Sequence, residues 1–355
     1  MSAAAISMGC VHVVDAADRA ADDAGAKGDS QQRPASRDRD SVMSVPMRSA
    51  HQSVLARRTC SDADLAQHAV AALIEEAELT PKPALVDGRG SGAHRDLDLP
   101  LMRRSARALE ATFDALARAA RHRIPSGTLR AELAQIGRAG EQTMLQATHG
   151  SNAHRGAIWI VGLLVAGAAM AEAALCGAAT LPAGSDTLAH AASICSLGAQ
   201  IACFPDRFAP PADSNGEQVR LRYRVGGARS EAQHGFPHVI DIGLPALLHA
   251  RAQGIGENAA RVDALLAIMA ALDDTCLLHR AGRTGLQAAQ RGAQRVLAAG
   301  GSSSEAGKAA LNVLERTLIA LNASPGGAAD LLAATLFLDK QLRQAFTGST
   351  SAWNT

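Results

Sequence analysis

Residues 156–171 read GAIWIVGLLVAGAAMA, and this uncharged stretch is the most apolar part of the chain. It is shorter than the ~20 residues that a membrane-spanning helix needs, and it is rich in Ala and Gly. We therefore interpret it as a buried helix of a soluble protein with no role in a membrane. The first residues lack the basic and apolar regions of a secretory signal, so we expect a cytoplasmic protein.

The composition around this stretch favours helices over strands. Hydrophobic residues make up 47% of the 355 residues and aromatic residues only 3%, so Ala, Leu, Val and Ile must build the core. Long runs of β-branched and aromatic residues, which are typical of sheets, do not occur. We predict an all-α protein. The 35 basic and 34 acidic side chains nearly cancel, which predicts no attraction to nucleic acid or to a membrane surface.

The helical pattern predicts one compact multi-helix domain over residues 60–350. Residues 1–59 mix Asp, Arg, Ser and Gly without periodicity, and we predict that they form a disordered leader. A capping box at Ser61 begins the first predicted helix, which ends before Pro81. The further predicted helices cover residues 101–121, 128–147, 155–178, 187–202, 240–253, 258–280, 284–299, 304–322 and 327–345.

The loop Pro81–Asp98 is the first of four segments that could carry chemistry. Lys82 lies between two prolines, which restrict its backbone. His94, Asp96 and Asp98 alternate just before a helix, and such carboxylates can bind Mg²⁺ while leaving positions for phosphate oxygens. The alternative is an ordinary loop in which Asp98 caps the next helix.

The second segment, residues 135–162, joins a helix that contains Glu141 to the apolar helix. A polar turn with His154, Arg155 and Gly156 leads into that helix. Helix N-termini bind phosphate through backbone N–H groups, and Arg155 in the first turn would oppose the dipole unless an anion is present. A solvated loop between helices is the alternative.

The third segment is GGARSEAQHGFP at residues 226–237, where a glycine-bounded loop contains Arg229 and Glu231. Arginine binds phosphate bidentately, and three further arginines precede the loop. An exposed segment with no ligand would have the same composition.

The fourth segment is DDTCLLHRAG at residues 273–282. Asp273 and Asp274 follow a long apolar pattern, and we place them in the C-terminal half of one helix that also contains His279 and Arg280. Carboxylates are unfavourable there, which indicates a cation or a partner charge. Ion pairing within the helix is the alternative.

Taken together, the four segments suit chemistry on a magnesium-bound polyphosphate. The sequence contains no Walker A loop, GxGxxG, GxSxG or HExxH motif. A basic surface interleaved with aromatic residues, which would indicate RNA binding, is also missing.

The same segments resemble the triphosphoribosyl-dephospho-coenzyme A synthase family. The matching stretches, in the order of the family, are ALIEEAELTPKPALVDGRGSGAHRDLD, LAQIGRAGEQTMLQATHGSNAHRGAIWIVGLL, GGARSEAQHGFP, DDTCLLHRAG and NASPGGAADLLAATLFL. They cover essentially residues 65–345. The sequence GRGSGAHRDLDLPLMRRSA is more similar to the malonate decarboxylase branch of the family than to the citrate lyase branch.

The resemblance implies a transferase reaction between ATP and 3′-dephospho-CoA. Adenine leaves, and the triphosphoribosyl group joins the 2′-hydroxyl of the dephospho-CoA ribose. The product is the precursor of a prosthetic group that a holo-transferase places on the acyl carrier protein of malonate decarboxylase. Mg²⁺ is the expected cofactor.

This reaction assigns expected roles to the charged residues of the four segments. A base for the 2′-hydroxyl and a stabiliser of an oxocarbenium-like sugar are needed, and Glu76 or Glu141 can supply them. The acid–base candidates are His94, His154 and His279. The candidates for substrate binding are Lys82, Arg155, Arg229, Glu231 and Arg280. The candidates for metal binding are Asp96, Asp98, Asp273 and Asp274.

Four positions depart from the usual pattern of the family. Ala84 and His149 stand where the family commonly has Gly, Ala153 replaces a common Thr, and Ser230 replaces a common Gly. Lost backbone freedom at Ala84 and the lost hydroxyl at Ala153 could weaken substrate positioning. None of the four removes a charged candidate.

Two other functions stay open on the sequence. A magnesium-dependent all-α hydrolase of nucleotide-linked ribose would share the carboxylates and use water as the acceptor. A catalytically silent helical protein that binds a nucleotide or partner proteins would explain the departures, although the retained charged residues oppose it.

Overall fold

The computed structural model describes residues 60–176, 187–209 and 215–346, and these residues belong to one compact unit. The prediction of an all-α fold is confirmed: within these ranges the chain forms helices and no strand, with one isolated bridge between Asp87 and Gly90. The predicted disordered leader, residues 1–59, lies outside the described residues.

The helices are numbered in chain order. They are α1 (Asp62–Glu78), α2 (Leu99–Ala108), α3 (Glu110–Ala120), α4 (Gly127–Ala147), α5 (Arg155–Cys176), α6 (Thr187–Cys203), α7 (Asn215–Tyr223), α8 (Gly227–Gln233), α9 (Leu244–Ala252), α10 (Glu257–Ala271), α11 (Thr275–Ala298), α12 (Glu305–Ala320) and α13 (Gly326–Phe346), with a π-helical segment (His238–Gly243) before α9.

The apolar helix α5 lies at the centre of the fold. It packs against α1, α3, α6 and α13, and its side chains from Ile160 to Ala171 are almost all buried. Gly167 allows the close approach of α6, because a Cβ atom there would lie 2.4 Å from the carbonyl oxygen of Ile194. Over Arg155–Ala174, α5 is long and apolar enough to cross a membrane by length and composition alone. Most of that segment is buried inside the protein, so a soluble protein is consistent with the fold.

Two of the predicted helices are divided in the structure. The predicted helix 101–121 is two helices, α2 and α3, which meet at the fully buried Leu109. The predicted helix 258–280 was wrong: α10 ends at Ala271, Leu272 is extended, and α11 begins after Asp274. The apolar pattern hid this break because it continues through Leu272 into the next helix.

The segment between α6 and α9 contains more helix than the pattern predicts. The GGARSEAQHGFP loop contains α8, and the three arginines before it belong to or follow α7. Both helices are short and polar, so neither has the apolar stripe by which a helix is recognised in sequence. Part of the predicted helix 240–253 is π-helical.

Candidate active site

A cavity opens where the four sequence segments meet. Its volume is about 520 Å³, and it is lined by the C-terminal half of α1, the loop 80–98 and the first residues of α5, α8, α11 and α13. Helix N-termini carry partial positive charge, which favours an anion nearby. The cavity therefore suits a polyanionic ligand such as a nucleotide.

An ion pair between Glu76 and Lys82 lies at the bottom of this cavity. Lys82 Nζ donates to the carboxylate of Glu76 at 2.6 Å and to the backbone carbonyl of Glu76 at 2.6 Å. Lys82 is 1% exposed and Glu76 is 3% exposed. The backbone N–H of Lys82 donates to the carboxylate of Asp87, and this hydrogen bond closes the loop around the lysine. Because the two buried charges balance each other, removing one partner lowers the stability of the fold.

Asp330 of α13 reaches the same place, and the sequence analysis did not single it out. Its side chain is partly buried, and burial together with the charges of Glu76 and Asp274 raises its pKa well above the usual range. The N–H of Ala157 donates to it. A Cβ atom on Gly156 would lie 2.0 Å from its carboxyl oxygen, so only glycine leaves room for this carboxyl group. The raised pKa favours the protonated form of Asp330 beside the Glu76–Lys82 pair.

Asp274 joins the N-termini of two helices. Its carboxylate accepts from the N–H groups of Cys276 and Leu277 in α11, at 2.8 and 3.3 Å, and from Ala328 in α13, at 3.0 Å. Burial raises its pKa. The expected position in the C-terminal half of a helix is corrected here, because Asp274 precedes a helix as its N-cap, where a carboxylate is favourable. We call Glu76, Lys82, Asp274 and Asp330 the cavity floor.

Four further residues of the lining, Asp96, Arg155, Asp273 and His279, are named the cavity mouth. All four are exposed; the side chain of Asp96, for example, is 60% exposed. Arg155 forms an ion pair with Glu141 of α4. Charged groups in this position can move to a substrate and pay little desolvation.

His94 and Arg280, which the sequence predicts for the site, connect two loops that line the cavity. His94 is within hydrogen-bond distance of the Ser324 hydroxyl at 2.8 Å, and burial followed by the charge of Arg280 lowers its pKa. Arg280 donates to the carbonyl oxygens of Ala93 and Asn322. Together these contacts attach the loop 80–98 to the loop before α13.

Glu231 of α8 makes a further contact at the edge of the cavity, with His238. Its carboxylate accepts from the backbone N–H of His238 at 2.9 Å and contacts the His238 Nδ1 atom at 2.7 Å. The hydrogen bond to Glu231 raises the pKa of His238. Glu231 lines the cavity, with its carboxylate already partnered.

Four residues predicted for the site do not line this cavity. Asp98 is the exposed N-cap of α2, and its carboxylate accepts from Leu101 at 2.8 Å. Glu141 lies beside a neighbouring cavity, and Arg229 is exposed outside both. His154 is fully buried behind the floor with Nδ1 2.7 Å from the Ser105 hydroxyl. Burial and then the charge of Lys82 lower its pKa to about 3, so it stays neutral.

The carboxylates fit magnesium only as a substrate-bound ion. Among the residues that the structure describes, no group of three or more His, Cys, Asp or Glu side chains is arranged around a metal position. Asp98 and Asp274 already accept backbone N–H groups. Asp96 and Asp273 remain at the mouth, and Mg²⁺ on a triphosphate needs only one or two protein carboxylates.

Two departures from the family pattern fall on left-handed backbone. Ala84 has φ of 59° and His149 has φ of 55°, and glycine is the residue that adopts these values without strain. Ala84 is completely buried in the loop that holds Lys82. The glycine that the resemblance expects at each position therefore has a conformational reason.

The fold and the site together define a class of protein. It is all-α, and its cavity lies between helix N-termini and suits an anionic ligand. Residues 62–347 match the family described as ATP:dephospho-CoA triphosphoribosyl transferase. The chain belongs to this family, and it is an enzyme of the triphosphoribosyl-dephospho-CoA synthase class.

Relatives of this class are more than half identical to the chain. A protein of Pseudomonas paraeruginosa, called a probable 2-(5″-triphosphoribosyl)-3′-dephosphocoenzyme-A synthase, is 56% identical over 78% of this chain and 90% of its own length. The 2-(5″-triphosphoribosyl)-3′-dephosphocoenzyme-A synthase of Klebsiella pneumoniae is 54% identical over 78% of this chain and 94% of its own. No solved structure matches the chain.

Proposed function

We propose that the protein transfers the triphosphoribosyl group of ATP to the 2′-hydroxyl of 3′-dephospho-CoA. The bond between C1″ of the ATP ribose and adenine breaks, and a bond from C1″ to the 2′-oxygen of the acceptor forms. The hydroxyl proton leaves the acceptor, and a proton reaches adenine as it departs. The proposal is supported most directly by a cavity that joins the matching segments around a buried, paired carboxylate and a second carboxyl group whose pKa is raised.

The cavity mouth suits the triphosphate of ATP. Arg155 can exchange Glu141 for a phosphate oxygen, and it lies in the first turn of α5, where the helix dipole also favours an anion. Asp96 and Asp273 would hold Mg²⁺ on the triphosphate. The ion, when bound, neutralises phosphate charge. Held in this way, the phosphates stay intact while the reaction occurs at the sugar.

The cavity floor suits the chemistry at C1″. An oxocarbenium-like sugar is stabilised by a nearby carboxylate, and Glu76 supplies one whose position is fixed by Lys82. Asp330 can supply the proton that a departing adenine needs, because its raised pKa favours the protonated form. The acid–base role predicted for His279, which belongs to the mouth, stays a prediction. The roles predicted for Glu141 and His154 stay predictions.

We place the enzyme in the cytoplasm and in the malonate decarboxylase branch. The sequence GRGSGAHRDLDLPLMRRSA supports the malonate decarboxylase branch. In that branch the product passes to a holo-transferase, which loads it on the acyl carrier protein.

Incubation of the full chain with ATP, Mg²⁺ and dephospho-CoA, followed by liquid chromatography and mass spectrometry, tests the proposal. We expect adenine only when the acceptor is present, together with an adduct that retains all three phosphates. Adenine without the acceptor would replace the proposal with the hydrolase. No adenine under any condition would favour the silent binding protein. Omission of Mg²⁺ tests the metal requirement in the same assay.

A further inference from the structure

A second cavity lies beside the first, between α4 and α5. Its volume is about 210 Å³, and it is lined by Arg130, Arg138, Arg155, Trp159 and apolar side chains of both helices. Arg155 lines both cavities. The indole N–H of Trp159 donates to the carbonyl of Ala228, which lines the first cavity. The two cavities are therefore neighbours that share side chains.

Arg130 is the unusual residue of the second cavity. It is only 8% exposed, and its guanidinium carbon lies 4.6 Å from the centre of the Trp159 ring. Within the described part of the chain, its Nε has no hydrogen-bond partner. Buried polar groups are normally partnered, and an unpaired buried charge is unfavourable. Burial accordingly lowers the pKa of Arg130, although Asp206 partly offsets this.

The other charges around the cavity do not satisfy Arg130. Arg138 pairs with Asp206 at 2.7 Å, and Arg155 pairs with Glu141. The positive charges of Arg138 and the nearby Arg229 act against that of Arg130. Three arginines and two carboxylates line the cavity, so one positive charge is left over. An anion in the cavity would balance it.

We propose that the second cavity binds the polyphosphate of a nucleotide, with Arg130 as its principal ligand. The planar guanidinium group binds phosphate oxygens bidentately, and the ring of Trp159 holds this group in place before the ligand arrives. Which nucleotide supplies the phosphates rests on the proposed function, since both the diphosphate of dephospho-CoA and the triphosphate of ATP have this chemistry. Two nucleotides must meet at one reacting sugar, and two adjoining cavities with a shared Arg155 suit that arrangement.

Trp159 provides a direct test that needs no turnover. The chain has two tryptophans, and Trp353 lies outside the described residues. In a Trp353→Phe background we expect inorganic pyrophosphate to change Trp159 fluorescence saturably. Arg130→Met should weaken the apparent affinity about 10- to 100-fold, the loss expected for a hydrogen bond to a charged group. Arg118→Met removes an exposed arginine of α3 and should leave the titration unchanged.

A second variant keeps the test valid if Arg130→Met does not fold. Arg130→Lys retains the charge without the planar fork, and we expect a smaller loss of pyrophosphate affinity. Thermal unfolding checks that each variant is folded. The proposal is overturned if pyrophosphate does not change the fluorescence of the Trp353→Phe protein. It is also overturned if the folded Arg130 variants bind pyrophosphate as tightly as the Trp353→Phe protein does.

Calorimetric titrations with dephospho-CoA and with ATP identify the source of the phosphates. Loss of affinity for dephospho-CoA alone assigns the cavity to the acceptor. Loss for ATP alone assigns it to the donor and contradicts the placement of the ATP triphosphate at the cavity mouth. If the unsubstituted chain makes product while Arg130→Met binds both nucleotides normally, this inference fails and the proposed function stands. If the unsubstituted chain makes no product but binds pyrophosphate through Arg130, the proposed function fails and the anion site stands.

Discussion

The floor and the mouth of the main cavity use the same kinds of charged side chain in opposite ways. At the floor, Glu76 and Lys82 are almost completely buried and satisfy each other. At the mouth, Asp96 and Asp273 are exposed, and neither is a helix cap. Buried charges are positioned accurately but are expensive to disturb, whereas exposed charges contribute little to stability and can move. The difference assigns the sugar chemistry to the floor and phosphate binding to the mouth.

Loss of the floor lysine should give the largest effect on stability. We expect Lys82→Met to lower the free energy of unfolding by about 3–5 kcal/mol, because Glu76 is left as a buried charge without its partner. Arg103→Met is the matched control, since Arg103 pairs with Glu78 of the same helix α1 but both side chains are well exposed. That control should cost about 1 kcal/mol or less. Urea unfolding measures both, and equal losses would contradict the distinction.

The buried cap should matter more than the exposed cap. Asp274→Ala removes an acceptor from two helix N-termini and should cost about 2–4 kcal/mol, whereas Asp98→Ala removes one exposed cap and should cost about 1 kcal/mol. Asp274→Asn keeps an oxygen acceptor and should recover part of the loss. Thermal unfolding without Mg²⁺ compares the three. If Asp274→Ala were as stable as Asp98→Ala, its role as a double cap would be wrong.

The protonated floor carboxyl should give the protein a recognisable pH dependence. The pKa of Asp330 is raised in the folded state, so above the ordinary aspartate pKa the unfolded chain ionises while the folded protein keeps its proton. Stability should therefore fall as pH rises, by at most about 1.4 kcal/mol per pH unit. Asp330→Asn, which resembles the protonated form, should remove this part of the slope. Urea unfolding from pH 5 to pH 8 measures it, and parallel profiles would contradict a protonated Asp330.

The smallest effects should come from the two left-handed residues. Ala84→Gly, beside the floor, and His149→Gly, before α5, should each raise the free energy of unfolding by about 0.5–1 kcal/mol. Gly92→Ala should act in the opposite direction, because its φ is 55° and a Cβ atom would lie 2.5 Å from the backbone of Ala84. Unchanged melting temperatures in both glycine variants would indicate that neither position is strained.

Much of the fold follows from local patterns, whereas the site depends on contacts between distant segments. The apolar run of α5 and the capping box at Ser61 both predict helices that the structure contains. The break at Asp274 could not be predicted, because Asp274 both caps α11 and accepts from the N–H of Ala328 in α13, which is 54 residues away. Asp330 was missed although it is the single charge in the apolar stretch GGAADLLAATLFL at residues 326–338, and that interruption is the signal that could have identified it.

The division between floor and mouth is tested most directly by steady-state kinetics of Asp330→Asn and Asp273→Asn. We predict that Asp330→Asn lowers kcat about 10²- to 10⁴-fold, the usual contribution of a general acid, without weakening the binding of ATP. Asp273→Asn should raise the KM for ATP and leave kcat nearly unchanged. Full kcat in Asp330→Asn, or loss of kcat only in Asp273→Asn, would contradict the assignment of the chemistry to the floor.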